Sequence, residues 1–134
     1  MKKHLLMLAI ASSCLLGAQA SNAMTKDEYK AAKDKIEADY KVDKAACDAM
    51  KDNAKDVCEK QAKGKENIAK AELEQAYEPS AKHQRKVAEE KVDAQYAVAK
   101  EKCDDQKGAE KSACEKQAKA DEAKGKADVK AMKM

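Results

Sequence analysis

The six residues CEKQAK occupy positions 58–63 and recur unchanged at positions 114–119, which is 56 residues further along the chain. The same shift places Cys47-Asp48 on Cys103-Asp104. Of the 54 positions that align between Thr25 and Met134, 21 are identical. The chain therefore contains two tandem repeats of one unit, repeat 1 (residues 21–80) and repeat 2 (residues 81–134), and we expect both to lie in one domain.

The apolar residues of each repeat recur mostly at steps of three, four or seven, which is the period of an α-helix. In repeat 1 they are Tyr29, Ile36, Tyr40, Cys47, Met50, Ala54, Val57, Cys58, Ala62, Ile68 and Leu73, and in repeat 2 they are Val92, Tyr96, Cys103, Ala113, Cys114 and Ala118. Opposite charges lie at helical neighbour spacing, as in Glu37 and Lys41. No stretch alternates with period two. The pattern predicts an all-α fold.

Several residues interrupt the helical pattern. Pro79 is the only proline of the chain, and it predicts a turn between the repeats because proline cannot continue a helix interior. Asp52-Asn53 in repeat 1 and Gly108 in repeat 2 are weaker breaks at equivalent positions. Gly64 and Gly125 are interpreted as residues that only soften their helices.

The four cysteines of the repeats, Cys47, Cys58, Cys103 and Cys114, are compatible with two helical architectures. Two cysteines eleven residues apart on an unbroken helix are separated by roughly 16 Å, whereas a disulfide needs its Cα atoms within about 7 Å. In the favoured prediction each repeat is one long helix, and the two form a coiled-coil-like antiparallel hairpin with Cys58 bonded to Cys103 and Cys47 to Cys114. In the alternative, four short helices form two hairpins, each closed by its own disulfide. The long hairpin is favoured because a four-helix core needs more Leu, Ile and Phe than this chain contains.

The first 20 residues are typical of a cleaved signal peptide. Lys2 and Lys3 precede an apolar run, and Ala18-Gln19-Ala20 has the spacing that a signal peptidase recognises. We therefore expect a periplasmic or secreted protein with no stable membrane insertion after cleavage. In an oxidising compartment, the remaining four cysteines are expected to form disulfides.

The composition argues against several classes of function. Loss of Lys2 and Lys3 reduces the 28 basic residues to 26 against 25 acidic ones, a net charge of +1, which does not favour nucleic-acid binding. After removal of the signal peptide, His83 is the single histidine, and it has no nucleophile near it in sequence. The sequence also has no glycine-rich phosphate loop. We therefore expect that the protein is not an enzyme and that it has neither a catalytic residue nor a cofactor.

Two helices with paired cysteines about three turns apart resemble the coiled-coil-helix-coiled-coil-helix family, whose twin motif is Cys-x9-Cys. The spacing here is Cys-x10-Cys, at Cys47–Cys58 and Cys103–Cys114. The signal together with the Lys/Ala-rich cysteine repeats is similar to uncharacterised secreted proteins of proteobacteria, and in composition to the helical stalks of Tol-type envelope proteins. Neither resemblance implies a catalytic residue.

These observations predict a non-catalytic, exported structural or interaction protein of the bacterial cell envelope, with stress tolerance as one role of that class. Self-association or an envelope protein is the expected kind of partner. The alternative hypothesis is a periplasmic metal-binding module that holds copper or zinc through reduced cysteines, with Met132 and Met134 as additional soft ligands.

Overall fold

A computed structural model describes residues 23–133, so the expected signal peptide lies outside the described residues. Four α-helices follow one another in that range: α1 (Lys26–Cys47), α2 (Asp52–Tyr77), α3 (Ala81–Cys103) and α4 (Gly108–Ala131). Residues 23–133 contain no strand, and the predicted all-α class is confirmed. No helix in this range is long and apolar enough to cross a membrane.

The first helix of each repeat, α1 or α3, begins after a residue whose side chain caps it. The hydroxyl of Thr25 accepts a hydrogen bond from the backbone N–H of Glu28 at 3.2 Å, and the backbone N–H of Thr25 donates to the Glu28 carboxylate at 2.8 Å. Ser80 caps α3 by accepting from the backbone N–H of His83 at 3.0 Å. These bonds satisfy donors that the first turn of a helix leaves without partners. The predicted turn at Pro79 is confirmed, since α2 ends at Tyr77 and α3 begins at Ala81.

Each repeat is broken into two helices near the weak breaks that the sequence indicates. Asp52 has φ +52° and Gly108 has φ +58°, and these equivalent residues follow the turns at 48–51 and 104–107. The left-handed backbone region is easy for glycine and accessible to aspartate, but it cannot continue an α-helix. The prediction of one long helix per repeat is therefore wrong, and the four-helix alternative is what the chain adopts.

The helices form a single layer in chain order. Helix α1 packs on α2, α2 on α3 and α3 on α4, and within the described range no helix packs on any other. The short turns make successive helices antiparallel. Helices α1 and α4 are consequently the two open edges of the layer.

A single layer explains why the sparse apolar content suffices. The buried apolar residues are mostly small: Cys47, Ala62, Ala71, Leu73, Cys103, Ala118 and Val129. No central core is enclosed by all four helices, so the large side chains of a closed bundle are not needed. The favoured long hairpin was inferred from the requirement of a closed core, which this layer does not have.

Candidate functional site

The four predicted disulfide cysteines lie in two pairs, one within each repeat. Cys47 and Cys58 have their Cα atoms 5.5 Å apart and join α1 to α2. Cys103 and Cys114, at 5.6 Å, join α3 to α4. The favoured pairing of Cys58 with Cys103 and Cys47 with Cys114 is wrong, because the turn inside each repeat brings its own two cysteines together. Two disulfides at this distance point to an oxidising, exported environment.

The described residues do not form a preassembled metal site. Among the described residues, no group of three or more His, Cys, Asp or Glu side chains is placed to hold a metal ion. Met132 is half-buried at the end of α4, whereas Met134 lies outside the described residues. His83 Nδ1 lies 2.7 Å from the carbonyl oxygen of Glu78, at the turn between the repeats. Metal binding by reduced cysteines stays a prediction.

An open groove runs between α2 and α3 on one face of the layer. Its volume is about 740 Å³, and its floor is formed by Gly64, Ile68, Ala94 and Val98. Gly64 is buried, and the other three side chains are half-buried. The groove therefore leaves apolar surface accessible in a part of the molecule where neighbouring helices would ordinarily cover it.

Gly64 determines how closely the two walls of the groove approach. A Cβ atom added to Gly64 would lie 2.7 Å from the Cβ of Ala94 and 3.4 Å from its Cα. The backbones of α2 and α3 can be this close only because position 64 has no side chain. The interpretation of Gly64 as a residue that merely softens α2 is wrong. Gly125 is a second close contact, since a Cβ there would lie 2.8 Å from Val92 Cγ2.

Lysines dominate the rim of the groove. Lys60, Lys65, Lys91 and Lys102 line it, against the single acid Glu72. Three of these lysines form ion pairs: Lys91 Nζ lies 2.8 Å from Glu72 Oε1, Lys65 Nζ lies 2.7 Å from Asp43 Oδ2, and Lys60 Nζ lies 3.5 Å from Glu101 Oε1. The hydrogen bond to Asp43 raises the pKa of Lys65. The rim is a row of lysines above an apolar floor, and three of these lysines form partly exposed, weak ion pairs.

The side of α2 that faces α1 carries a buried carboxylate. Glu66 is 6% exposed, and its carboxylate accepts hydrogen bonds from Lys63 Nζ at 2.8 Å and Lys70 Nζ at 2.7 Å. Burial by itself opposes ionisation of Glu66, but the two lysines outweigh it and the pKa is lowered. Nearby, the hydroxyl of Tyr29 donates to the carboxylate of Glu74, which fastens the start of α1 to the end of α2. The contact between Tyr29 and Glu74 stabilises the packing of α1 on α2, which forms one wall of the groove.

The sequence identified Ile68 and Val98 only as parts of its apolar pattern. It did not indicate that both would line one groove, because that depends on the order in which the helices pack. The two repeats do differ where α2 meets α3, since Ile68 aligns with Lys124 and Gly64 with Ala120. Because most aligned positions of the two repeats differ, this difference alone does not identify the groove.

Comparison with known proteins gives no relative: no family model, no curated protein and no solved structure matches the chain.

Proposed function

We propose that the protein is an exported, non-catalytic interaction protein of the bacterial cell envelope that holds one acidic amphipathic helix of a partner protein in the α2–α3 groove. The observation that carries this proposal is the accessible apolar floor of the groove below a rim of lysines. A surface of this kind excludes water from an apolar ligand and attracts negative charge at its borders.

The shape of the groove favours a helix as its ligand. Its lining extends along α2 from Lys60 to Glu72, thirteen residues whose twelve steps span roughly 18 Å of helix axis. Two antiparallel helices present a shallow channel in which the ridge of a third helix can lie. A ligand helix of three to four turns, with apolar residues at steps of three and four, matches this length and the apolar floor.

The charge of the rim selects the partner. Four of the lining residues are lysines and one is a glutamate, and the ion pairs of three of these lysines are partly exposed and can exchange for acids of a ligand. Acidic residues beside the apolar stripe of the ligand would pair with this rim, whereas basic residues would be repelled. The acidic preference is therefore expected in the association rate and in the salt dependence of binding.

The two disulfides serve this function by holding the walls of the groove. Cys47–Cys58 fixes α1 behind α2, and Cys103–Cys114 fixes α4 behind α3. Neither bond crosses the groove. The walls are thus supported from behind, while the surface that meets the ligand stays open.

The test uses a synthetic peptide of about 16 residues, long enough for four helical turns, with leucines on one face and glutamates on the other. Binding to the oxidised protein is measured by fluorescence anisotropy, and we expect a dissociation constant below about 1 mM. The variant Ile68→Lys should weaken binding at least about tenfold, because it removes a large apolar side chain from the floor. Repeat 2 already has Lys124 at this position, so a helix of this chain accepts the residue.

The matched control is Val42→Lys on α1, outside the groove, which should leave peptide binding unchanged. A peptide with lysine in place of every glutamate tests the rim and should bind at least severalfold more weakly. Equal affinity for the acidic and basic peptides would refute the acidic preference. Equal affinity of the Ile68→Lys variant and the unchanged protein would refute the groove as the binding site.

A further inference from the structure

The two edges of the helical layer are unequal in what they expose. Val42 on α1 is 68% exposed, although it is a large apolar residue. Its equivalent in repeat 2, Val98, is half-buried between α2 and α3. Helix α1 therefore has the apolar side that α3 uses against α2, but no described helix packs against it.

The comparison extends along the whole of α1. We define the α1 edge by five exposed residues: Ala31, Lys35, Ala38, Val42 and Ala45. Their equivalents on α3 are Val87, Lys91, Ala94, Val98 and Glu101. Ala94 lies against Gly64, and this identifies the side of α3 that packs on α2. The α1 edge is thus the repeat equivalent of one half of an internal helix interface.

The α4 edge is the equivalent of the other half. Residues at steps of three, four or seven from Gly64 share its side of α2. On that side, Lys60, Gln61 and Ile68 line the groove, and the five remaining residues, none of them exposed, are Val57, Gly64, Asn67, Ala71 and Gln75. Their equivalents on α4 define the α4 edge and are all exposed alanines: Ala113, Ala120, Ala123, Ala127 and Ala131. Alanine leaves this edge flat enough for another helix to approach.

We infer that the α4 edge of one molecule packs against the α1 edge of the next, and so repeats between molecules the contact that α2 and α3 make within one. The direction of the helices agrees, since α4 and α1 would meet antiparallel as α2 and α3 do. Each molecule has one edge of each kind, so the contact is heterologous. It leaves a free edge at either end and extends beyond a dimer.

Charge complementarity supports the same occupant. Across α2 and α3, Lys91 Nζ lies 2.8 Å from Glu72 Oε1. The equivalents are Lys35 on the α1 edge and Asp128 beside the α4 edge. A positively charged residue on one edge would therefore again face a negatively charged residue on the other. Lys35 now pairs with Asp39 in its own helix, and its side chain is 74% exposed. Exposed pairs of this kind are weak, and they can exchange for a pair between molecules.

One difference makes this contact weaker than the internal one. Ala120 stands where α2 has Gly64, and a Cβ at that position would meet a facing alanine at 2.7 Å in the internal geometry. The two edges must therefore lie farther apart than α2 and α3. The association is reversible and depends on protein concentration. It also predicts that Ala120→Gly strengthens self-association.

Sedimentation velocity of the purified, oxidised protein over a wide concentration range tests the inference. The expected result is an average mass that rises past that of a dimer. Val42→Glu should weaken association at least about tenfold, and Lys35→Glu about threefold. The double variant Lys35→Glu with Asp128→Lys should recover the lost affinity. Ile68→Lys changes the groove alone and should associate normally, which separates this inference from the proposed function.

The changed residues are exposed, so circular dichroism should show unchanged helix content in every variant. A protein that remains monomeric at all concentrations would overturn the inference. A mass that stops at the dimer would do the same, because it indicates a symmetric contact. Failure of the charge-reversed pair to recover association, or an undiminished mass for Val42→Glu, would also overturn it.

Discussion

Removal of one disulfide should destabilise the protein by an amount that follows from the length of the loop it closes. Each bond joins cysteines eleven residues apart. The chain-entropy relation for cross-links gives roughly 3 kcal/mol at 25 °C for a loop of this length. The pairing across the repeats would close a much longer loop, and Cys58 to Cys103 would contribute about 4 kcal/mol by the same relation.

The perturbation is Cys47→Ala together with Cys58→Ala, and the matched pair is Cys103→Ala with Cys114→Ala. Alanine is chosen because Cys47 and Cys103 are 0% exposed, and a serine hydroxyl there would be buried. Each double variant should lose roughly 3 kcal/mol of unfolding free energy in urea, followed by circular dichroism. All four substitutions together should lose about twice that, because the two loops are separate. A loss is expected at both sites.

The connectivity itself is read from a single cut. Arg85 is the only arginine of the sequence and lies between the two cysteine pairs. After cleavage by an arginine-specific protease, denaturant without reductant should separate the chain into two fragments. One linked species under these conditions would refute the pairing within repeats. Losses well below 1 kcal/mol in both double variants would refute the stabilising role.

Three further predictions concern single side chains. Glu66→Gln should cost about 1–3 kcal/mol at neutral pH, whereas the more exposed equivalent change Glu122→Gln should cost less. Because the folded pKa of Glu66 is lowered, its contribution to the free energy of unfolding is present above about pH 4.5 and is lost as the pH falls through the folded pKa. Urea titrations at several pH values should therefore show the stabilities of the variant and the unchanged protein converging in acid. Gly64→Ala should cost about 1–2 kcal/mol in thermal or urea unfolding despite the better helix propensity of alanine, and a gain in stability would contradict the close approach of α2 and α3. Gly108→Ala should cost about 1 kcal/mol from backbone strain alone, since nothing lies within 4 Å of the added Cβ, and Gly108→Asp should cost less because Asp52 holds this conformation in repeat 1.

Much of the fold could be predicted from local sequence. The helical period and the turn at Pro79 each depend on neighbouring residues and are confirmed. The breaks at Asp52 and Gly108 were also visible as equivalent weak positions. The choice between the two architectures depended on packing, and it failed because a layer of four helices needs no common core. Local composition cannot distinguish a closed bundle from an open layer.

The groove was harder to predict for a related reason. Ile68 and Val98 belong to the apolar pattern, but periodicity alone cannot say which apolar residues a neighbouring helix will cover. Gly64 was visible in the sequence, and its role as the contact with Ala94 requires knowledge of which helices are adjacent. The outward side of α1 could not be predicted for the same reason. Val42 is an ordinary helical residue in the sequence, and it becomes informative only because its equivalent, Val98, lies inside the layer.

The pairing of each cysteine with the next one along the chain has a consequence for how the bonds form. If the protein is exported N-terminus first, Cys47 and Cys58 reach the oxidising side before Cys103 does. An oxidant that joins cysteines in the order of their arrival would then make Cys47–Cys58 while no competing thiol is present, and Cys103–Cys114 afterwards. Short loops also close at the least entropic cost. For a chain exported in this way, sequential oxidation would produce the connectivity of the structure without later rearrangement by a disulfide isomerase.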